Sequence, residues 1–579
     1  MILESLKTLI LFTAPGYLAA SADKRLSGNE RLAAAPIYSA LLYGSVFLFA
    51  HLLGGQPGFP ATVIVFALAG AYAASKKASY KAPDNALRAI LAAAFVLRVG
   101  VLMLSPYPHS GDSTVHYAYA KSFLSNHWYT AGIVDNYWTP YTGFPFPGSY
   151  RPPLEDFTHS LGMLFNSADF ASAATSSIVF GVFVVAFIYL LAERMFSRKA
   201  AHAAAVIGCV NFFLMSRSAE LEPRMVVSCF VLAMVYFSLK GRIFWAYSAA
   251  SAGLAYLTHY SAVWFIAPIA LYYGWMGRKR ASVRWLYPAI GSFIIVFPWL
   301  LRNTLLFESP VYSTARYAAF VDNAEKLLSL SPPTMAGYLN SLGGGIKGCA
   351  LALAYRVINV VTSYVPPPQK MVQYGLTWTL SNSIVNHVNV LVFLAAAYYL
   401  SRNVRKVKDT PVFLTVAFTS LFGPLLHGFP NSDGVSASVL NPLVPVYIVY
   451  AAAYLSKAKP WIVAAVSFAI LAQSAWLLYD RAQYAPNSLA MGLIAAKVPA
   501  GEAVMSVQGH EINFYTGRNA YITPYAPFND IVGTAKRLGV RYYVLTPVDV
   551  KLRDVDGKRL EKVADRLGEK EGYAVYEFR

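Results

Sequence analysis

The sequence predicts an all-α polytopic membrane protein of about fourteen spans, closed by a small extracytoplasmic α/β domain at its C-terminal end. Three observations carry this. The 579 residues are 56% hydrophobic and 13% charged, whereas a soluble domain is about a quarter charged. Apolar runs of roughly 17–25 residues recur along the chain, the length that crosses a bilayer as a helix. Near residue 485 the pattern changes to short β-rich runs separated by helical ones. The net charge of +19 would point to nucleic acid in a soluble protein. Here Lys and Arg gather in short loops between apolar runs, so membrane topology and anionic lipids account for them, and no nucleic-acid partner is expected.

The first runs lie near 5–21, 36–54, 60–75 and 87–105. Loop 22–32 carries Lys24, Arg25 and Arg31, and loop 76–88 carries Lys76, Lys77, Lys81 and Arg88, while loop 54–60 is uncharged. The positive-inside rule puts the two basic loops in the cytoplasm and the stretch after Leu104 outside. Further runs near 171–192, 200–215, 225–239, 243–258, 262–276 and 285–301, then 383–400, 411–428, 438–456 and 461–479, keep Arg194, Lys199, Lys240, Arg278, Arg405 and Lys457 on the inner side. Residues 346–365 are apolar but contain Arg356 and end at Pro366-Pro367-Pro368; an interfacial helix, a re-entrant piece and half of an extra hairpin all fit. The chain thus divides into additional N-terminal spans (1–85), a membrane core (86–480) with outer loops 106–168 and 304–382, and an outer α/β domain (485–579). In that last part strands are expected around 503–506, 541–545 and 574–578, and helical patterns at Asn529–Leu538 and Leu560–Leu567. Cys209, Cys229 and Cys349 show neither metal-ligand spacing nor a disulfide framework.

Chemistry is expected in the polar stretch from Pro106 to Phe165. Asp112 and His116 are four apart and share a helix face, the pattern of a general base beside a donor or phosphate ligand; plain capping by Asp112 is the alternative. Arg151 precedes Pro152-Pro153, which exclude helix and hold the guanidinium on an extended turn, either for a phosphate or as a loop-end anchor. The outer loop 216–224 holds Arg217, Glu220, Glu222 and Arg224, readable as a site or as solvated ion pairs. His259 occupies a short outer turn, and Pro298-Trp299-Leu300-Leu301-Arg302-Asn303 ends a span as an interfacial anchor would. Aromatics between Tyr107 and Tyr150, including Tyr117 and Trp128, suit sugar stacking or an interfacial belt. No Gly-rich phosphate loop or HExxH motif is present, and His427 with Asp433 makes no site.

Taken in order over about 87–579, these features resemble the GT-C superfamily of membrane glycosyltransferases, in the branch of protein O-mannosyltransferases and lipid-A aminoarabinose transferases. The resemblance rests on Asp112, His116, Tyr117 and Ala120 after a span; on Tyr150-Arg151-Pro152-Pro153-Leu154; on Glu222 at the outer end of a later span; on the turn from Gly253 to Thr258-His259; and on Pro298, Trp299, Arg302 and Asn303. Ser113 stands where the family commonly has a second acid, His259 where it has Lys, and Ser438-Val439 where a late Arg-Tyr occurs. The resemblance implies a dolichyl- or undecaprenyl-phosphate sugar donor entering from the bilayer, a protein, glycan or lipid acceptor on the outer face, and inversion with a single base. It implies Asp112 and Glu222 as catalytic residues, His116, Arg151, His259, Arg302 and Arg224 on the donor phosphate, and Tyr117, Glu155 and Trp299 on sugar or acceptor. Some relatives use a divalent metal, but the lone Asp112 gives no clear pair of ligands. The competing reading is a lipid or small-molecule transporter or flippase, which calls for mid-depth charges and repeated halves. Arg98 and Arg356 are the clearest such charges, and no internal repeat is evident.

Overall fold

The computed structural model of the chain describes all residues except 54–57, 126–128, 140, 142, 149–150, 279–286, 365–382, 408–409, 427–439, 484–487 and 554. The expectations on Trp128, Tyr150, Pro366-Pro367-Pro368, His427, Asp433 and Ser438-Val439 lie outside the described residues.

Each apolar run read as a span holds a helix. The first four are α1 (Ile2–Ser21), α2 (Gly28–Leu52), α3 (Phe59–Ser75) and α4 (Asn85–Leu104). The polar stretch after them forms α5 (Gly111–Phe123), β1 (Thr130–Ala131), β2 (Ile133–Val134), β3 (Phe146–Pro147) and α6 (Leu154–Met163). Then come α7 (Phe170–Met195), α8 (Arg198–Val210), α9 (Phe212–Arg217), α10 (Arg224–Leu239), α11 (Trp245–Thr258), α12 (Val263–Arg278) and α13 (Tyr287–Phe307). After α14 (Met335–Ser341) and α15 (Gly345–Thr362) follow α16 (Ile384–Val388), α17 (Val390–Val407), α18 (Pro411–Phe422), α19 (Val444–Leu455) and α20 (Pro460–Ala482). Two expected runs are divided. Asn211 ends α8 and caps α9 by accepting from the Leu214 amide, and Asn389, at φ 80°, separates α16 from α17 in the left-handed region that Asn tolerates. Among the described residues six helices are long and apolar enough to cross a membrane, α15 of the ambiguous 346–365 stretch among them. The chain is a multi-pass membrane protein.

Helix α7 is the hub. Its 18-residue apolar window is wholly enclosed, and it packs on α1, α4, α6, α8, α10 and α19. Gly162 lets α6 approach it: a Cβ there would lie 2.6 Å from the Ser172 carbonyl oxygen. Helix α13 is the opposite case. Ile290, Phe293, Ile294, Phe297, Leu301 and Leu305 are exposed along one face while Val296, Trp299, Asn303 and Phe307 are buried on the other. That outward apolar row is a surface for lipid.

The bundle has two distinct ends. Loops expected inside meet at one: Arg31 bonds the Ser79 carbonyl, Arg198 pairs with Asp84, Lys240 with Glu30, and the Tyr17 hydroxyl donates to the Lys81 carbonyl. Helices α5 and α6, the His259 turn and the end of α13 gather at the other.

The C-terminal part comprises α21 (Ser488–Lys497), β4 (Ala503–Ser506), α22 (Gly509–Thr516), β5 (Asn519–Ile522), α23 (Phe528–Arg537), β6 (Tyr542–Leu545), α24 (Pro547–Leu552), α25 (Gly557–Leu560), β7 (Ala564–Lys570) and β8 (Tyr573–Phe578). The helical reading of Leu560–Leu567 is corrected: the helix stops at Leu560 and β7 starts at Ala564. Glu571 and Gly572, both at positive φ, turn β7 back onto β8, and the antiparallel ladder outweighs local helical pattern. The six-stranded sheet runs β2-β5-β4-β6-β8-β7, parallel from β2 to β6 and antiparallel beyond. Its first strand comes from the loop after α5: Ile133 pairs with Ala520 and Val134 with Tyr521, and the Ala520 amide donates to the Gly132 carbonyl at 2.8 Å. Arg553 ion-pairs with Glu325 at 2.8 Å and Trp138 Nε1 donates to the Ser329 carbonyl at 2.6 Å, tying the sheet to the segment after α13.

Candidate active site

The site begins with a cap. Ser110 accepts the Ser113 amide at 3.2 Å and opens α5, so Asp112 is not the capping residue. The Asp112 side chain, in the first turn, is 56% exposed and meets Arg151 Nη2 at 2.9 Å. Despite desolvation by the surrounding walls, the Arg151 guanidinium holds its carboxyl well below the usual range. The residue after it, Ser113, is buried and donates to Glu220 Oε2 at 2.9 Å.

Beneath this pair lies an enclosed polar chain. Arg151 turns its other terminal nitrogen, Nη1, to His116 Nε2. A guanidinium can only donate, so Nε2 accepts and the imidazole proton sits on Nδ1, which donates to Asp156 Oδ1 at 2.6 Å. His116 is 2% exposed and Asp156 fully buried. The expectation that His116 binds donor phosphate is therefore corrected, because both ring nitrogens are engaged below the surface. Glu155 is likewise fully buried, lies 3.3 Å from His159 Nε2 and cannot touch a ligand. Burial, then the Asp156 charge, push its carboxyl far up, so it is a neutral acid. His159, pushed down to about 3 by burial, is a neutral imidazole held by the Ser176 hydroxyl at 2.6 Å.

Glu222 forms the next wall. It meets Arg224 Nε at 2.7 Å and Arg217 Nη1 at 3.4 Å, and accepts from the Ser110 hydroxyl at 3.1 Å. Against the cost of burial, Arg224 and then Arg217 hold it ionised. Glu222 is 2% exposed, and its charge is matched by the two guanidinium groups. Arg217 and Arg224 keep 18% and 21% of their side chains exposed. His259 caps its turn through Nδ1, which accepts from the Ser261 amide at 3.1 Å. Burial, then the Arg151 charge, push it down to about 3, so it is a neutral donor through Nε2 and not a cation.

Arg302 sits across Tyr129 from Arg151. The Tyr129 hydroxyl donates to the Arg151 carbonyl at 2.7 Å, and the Arg302 guanidinium lies 5.7 Å from that ring and 4.8 Å from Trp299. Arg302 also donates to the Gly148 carbonyl at 2.8 Å. Trp299 is 6% exposed and donates to the Tyr260 hydroxyl, and Tyr117 packs edge-on against Phe514 at 5.0 Å while bonding the Ala168 carbonyl. The Trp299 ring is buried and not open as a sugar platform, whereas Tyr117 is partly exposed.

The C-terminal part roofs the crevice through α22, which packs on α5. Glu511 Oε1 comes within 3.3 Å of where a Cβ on Gly111 would stand. Burial, together with the Asp112 charge, pushes Glu511 up to about 7, and burial pushes neighbouring His510 down to about 4. Asp135, just after β2, is raised to about 6, again by burial. Asp156, Asp135, His510 and Glu511 were not singled out by sequence reasoning; their roles arise from contacts between distant segments. Among the described residues no group of three or more His, Cys, Asp and Glu side chains could hold a metal ion.

Residues 150–301 match the family model described as dolichyl-phosphate-mannose-protein mannosyltransferase. No curated protein matches the chain in sequence. Among solved structures, the archaeal oligosaccharyltransferase AglB from Archaeoglobus fulgidus in complex with an inhibitory peptide and a dolichol-phosphate superposes with TM-score 0.53 at 15% identity, over 85% of this chain and 74% of that one. The Archaeoglobus fulgidus oligosaccharyltransferase tethered with an acceptor peptide containing the NVT sequon gives TM-score 0.53 at 14% identity, over 85% and 74%. ArnT from Cupriavidus metallidurans bound to undecaprenyl phosphate aligns over 84% of this chain and 97% of that one at 14% identity, with TM-score 0.44, too loose a superposition to argue from.

Proposed function

We propose that this chain, which has the GT-C fold of membrane glycosyltransferases and resembles their protein mannosyltransferase branch, transfers a sugar from a polyprenyl-phosphate donor to an acceptor on the outer face of the membrane. The observation that carries this is the half-exposed Asp112 paired with Arg151 at 2.9 Å, backed by a buried His116–Asp156 support and flanked by Arg217 and Arg224. An acid at the mouth of a cationic crevice suits a neutral nucleophile attacking beside an anionic leaving group. The oligosaccharyltransferase complexes with dolichol-phosphate and with acceptor peptide support a lipid-phosphate donor and a protein acceptor.

In this reading the lipid tail of the donor lies along apolar faces such as that of α13, and its phosphate meets Arg151, Arg217 and Arg224. Asp112 accepts a hydrogen bond from the acceptor and aligns it on the anomeric carbon. The bond from that carbon to phosphate oxygen breaks as the new bond forms on the opposite face, which inverts the centre. The departing polyprenyl phosphate carries away the electron pair, and the guanidinium groups stabilise its charge. The positive-inside arrangement of the opposite end supports a crevice on the outer face. The charges a transporter would need lie elsewhere: Arg98 is fully buried and bonds the carbonyls of Ala94, Gly208 and Cys209 and the Ser218 hydroxyl, and Arg356 bonds the Ala319 and Ala352 carbonyls.

The test is binding. Purified chain in nanodiscs should bind dolichyl or undecaprenyl phosphate, and Arg151→Ala should weaken that binding about tenfold or more. Equal affinity in the variant would remove Arg151 from the phosphate site.

A further inference from the structure

The pairing that makes Asp112 a good orienting group makes it a poor proton acceptor. A carboxylate held ionised by a guanidinium at 2.9 Å gives up that stabilisation if it takes a proton. The acceptor hydroxyl or amide must nevertheless lose one.

The other wall of the crevice offers a second carboxyl. Helix α22 packs its first turn on α5, and Glu511 Oε1 stands 3.3 Å from the Cβ position of Gly111, the residue before Asp112. Among the described residues no cation pairs with Glu511, in contrast to Asp112 and Glu222. Neighbouring residues of α22 brace the contact. Phe514, one turn on, packs against Tyr117 at 5.0 Å and Phe170 at 6.2 Å, and Asn513 Nδ2 donates to the Gly132 carbonyl at 3.3 Å. Facing Glu511 is the Asp112 carboxylate from α5, with Arg151 beyond it, and the adjacent His510 also feels Asp112 and Arg151. Arg518, before β5, turns instead to the Ala495 and Val498 carbonyls.

We propose that the C-terminal domain supplies a catalytic residue: Glu511 takes the acceptor proton while Asp112, held by Arg151, orients the nucleophile. This rests on the glycosyl-transfer reading above. As the acceptor atom bonds to the anomeric carbon and the carbon–phosphate-oxygen bond breaks, the acceptor proton passes to the Glu511 carboxylate and is later released to water. Burial and the neighbouring Asp112 charge, which bring Glu511 to about 7, match its proton affinity to that task. His510, neutral beside it, adds no competing charge.

The experiment uses full-length protein in nanodiscs with radiolabelled dolichyl-phosphate mannose or undecaprenyl-phosphate sugar and measures polyprenyl phosphate released across about pH 5–9. Wild-type turnover should rise with pH through a midpoint near 7. Glu511→Gln should lower turnover about 100-fold or more and lose that midpoint, with dolichyl-phosphate affinity and thermal midpoint unchanged. Glu511→Asp should retain part of the rate with a displaced midpoint, which also carries the test if the Gln variant fails to fold. Wild-type rate and midpoint in Glu511→Gln, or loss of lipid binding and stability together with rate, would overturn the inference and leave the glycosyl-transfer reading standing. A wild type that binds no polyprenyl phosphate and consumes no donor would overturn both.

Discussion

Arg151 divides its two terminal nitrogens between a half-exposed partner, Asp112, and an enclosed one, His116. That makes the buried Asp156 a positioning residue, since it fixes the His116 tautomer that accepts from Arg151. Asp156→Asn should therefore lower turnover about tenfold or more while leaving the fold intact, read as donor consumption against a melting curve. A rate equal to wild type would sever that link. Glu511 makes a second residue-level prediction. Its carboxyl is raised from an ordinary value to about 7, so the native state holds the extra proton between those values. Its contribution to stability is present at low pH and is lost as pH rises through about 7. The melting temperature of wild type relative to Glu511→Gln should fall across that window; a constant difference would refute the shift. Asp112 and Arg151 were legible in the sequence because each is placed by local chemistry, one in a first helical turn and one before two prolines. Asp156 was not, because its partner lies 40 residues away on another helix.

Helices α6 and α7 set the depth of the polar chain. Gly162 allows that spacing, and a methyl group there would press on the Ser172 backbone carbonyl, which cannot rotate aside. Gly162→Ala should cost about 1–3 kcal/mol, seen as a lower melting temperature, and should reduce turnover by displacing Asp156; an unchanged melting curve would show that α6 can shift freely. The apolar runs made the helices readable in advance, since an apolar length fit for a bilayer leaves the backbone few alternatives. The breaks at Asn211 and Asn389 were not readable, because each is settled by tertiary contacts such as the Asn211 bond to the His387 carbonyl. Leu560–Leu567 was misread for a related reason: Leu560, Val563 and Leu567 have helical spacing, but pairing with β8 decides the conformation.

At the scale of the whole molecule, the sheet and the membrane core share a strand. Strand β2 leaves the loop after α5 and becomes the edge of the C-terminal sheet, so the segment that carries Asp112 is tied to the sheet. Composition showed a change of character near residue 485, but nothing in it showed that Tyr137 would bond the Ile522 carbonyl 385 residues away. Arg553, whose side chain is fully buried, anchors the sheet through Glu325 and the Thr523 carbonyl. Arg553→Ala should speed proteolysis of the C-terminal segment and lower turnover, because Glu511 would lose its station over Gly111; wild-type protease resistance would contradict this coupling. The claim on which all of this depends is that the Asp112–Arg151 crevice transfers sugar from a lipid phosphate. The direct measurement is consumption of radiolabelled dolichyl-phosphate mannose or undecaprenyl-phosphate sugar by purified wild type and by Asp112→Asn. Wild type should release polyprenyl phosphate, and the variant, equally well folded, should be slower by about 100-fold or more. Equal rates in the two proteins would contradict the account.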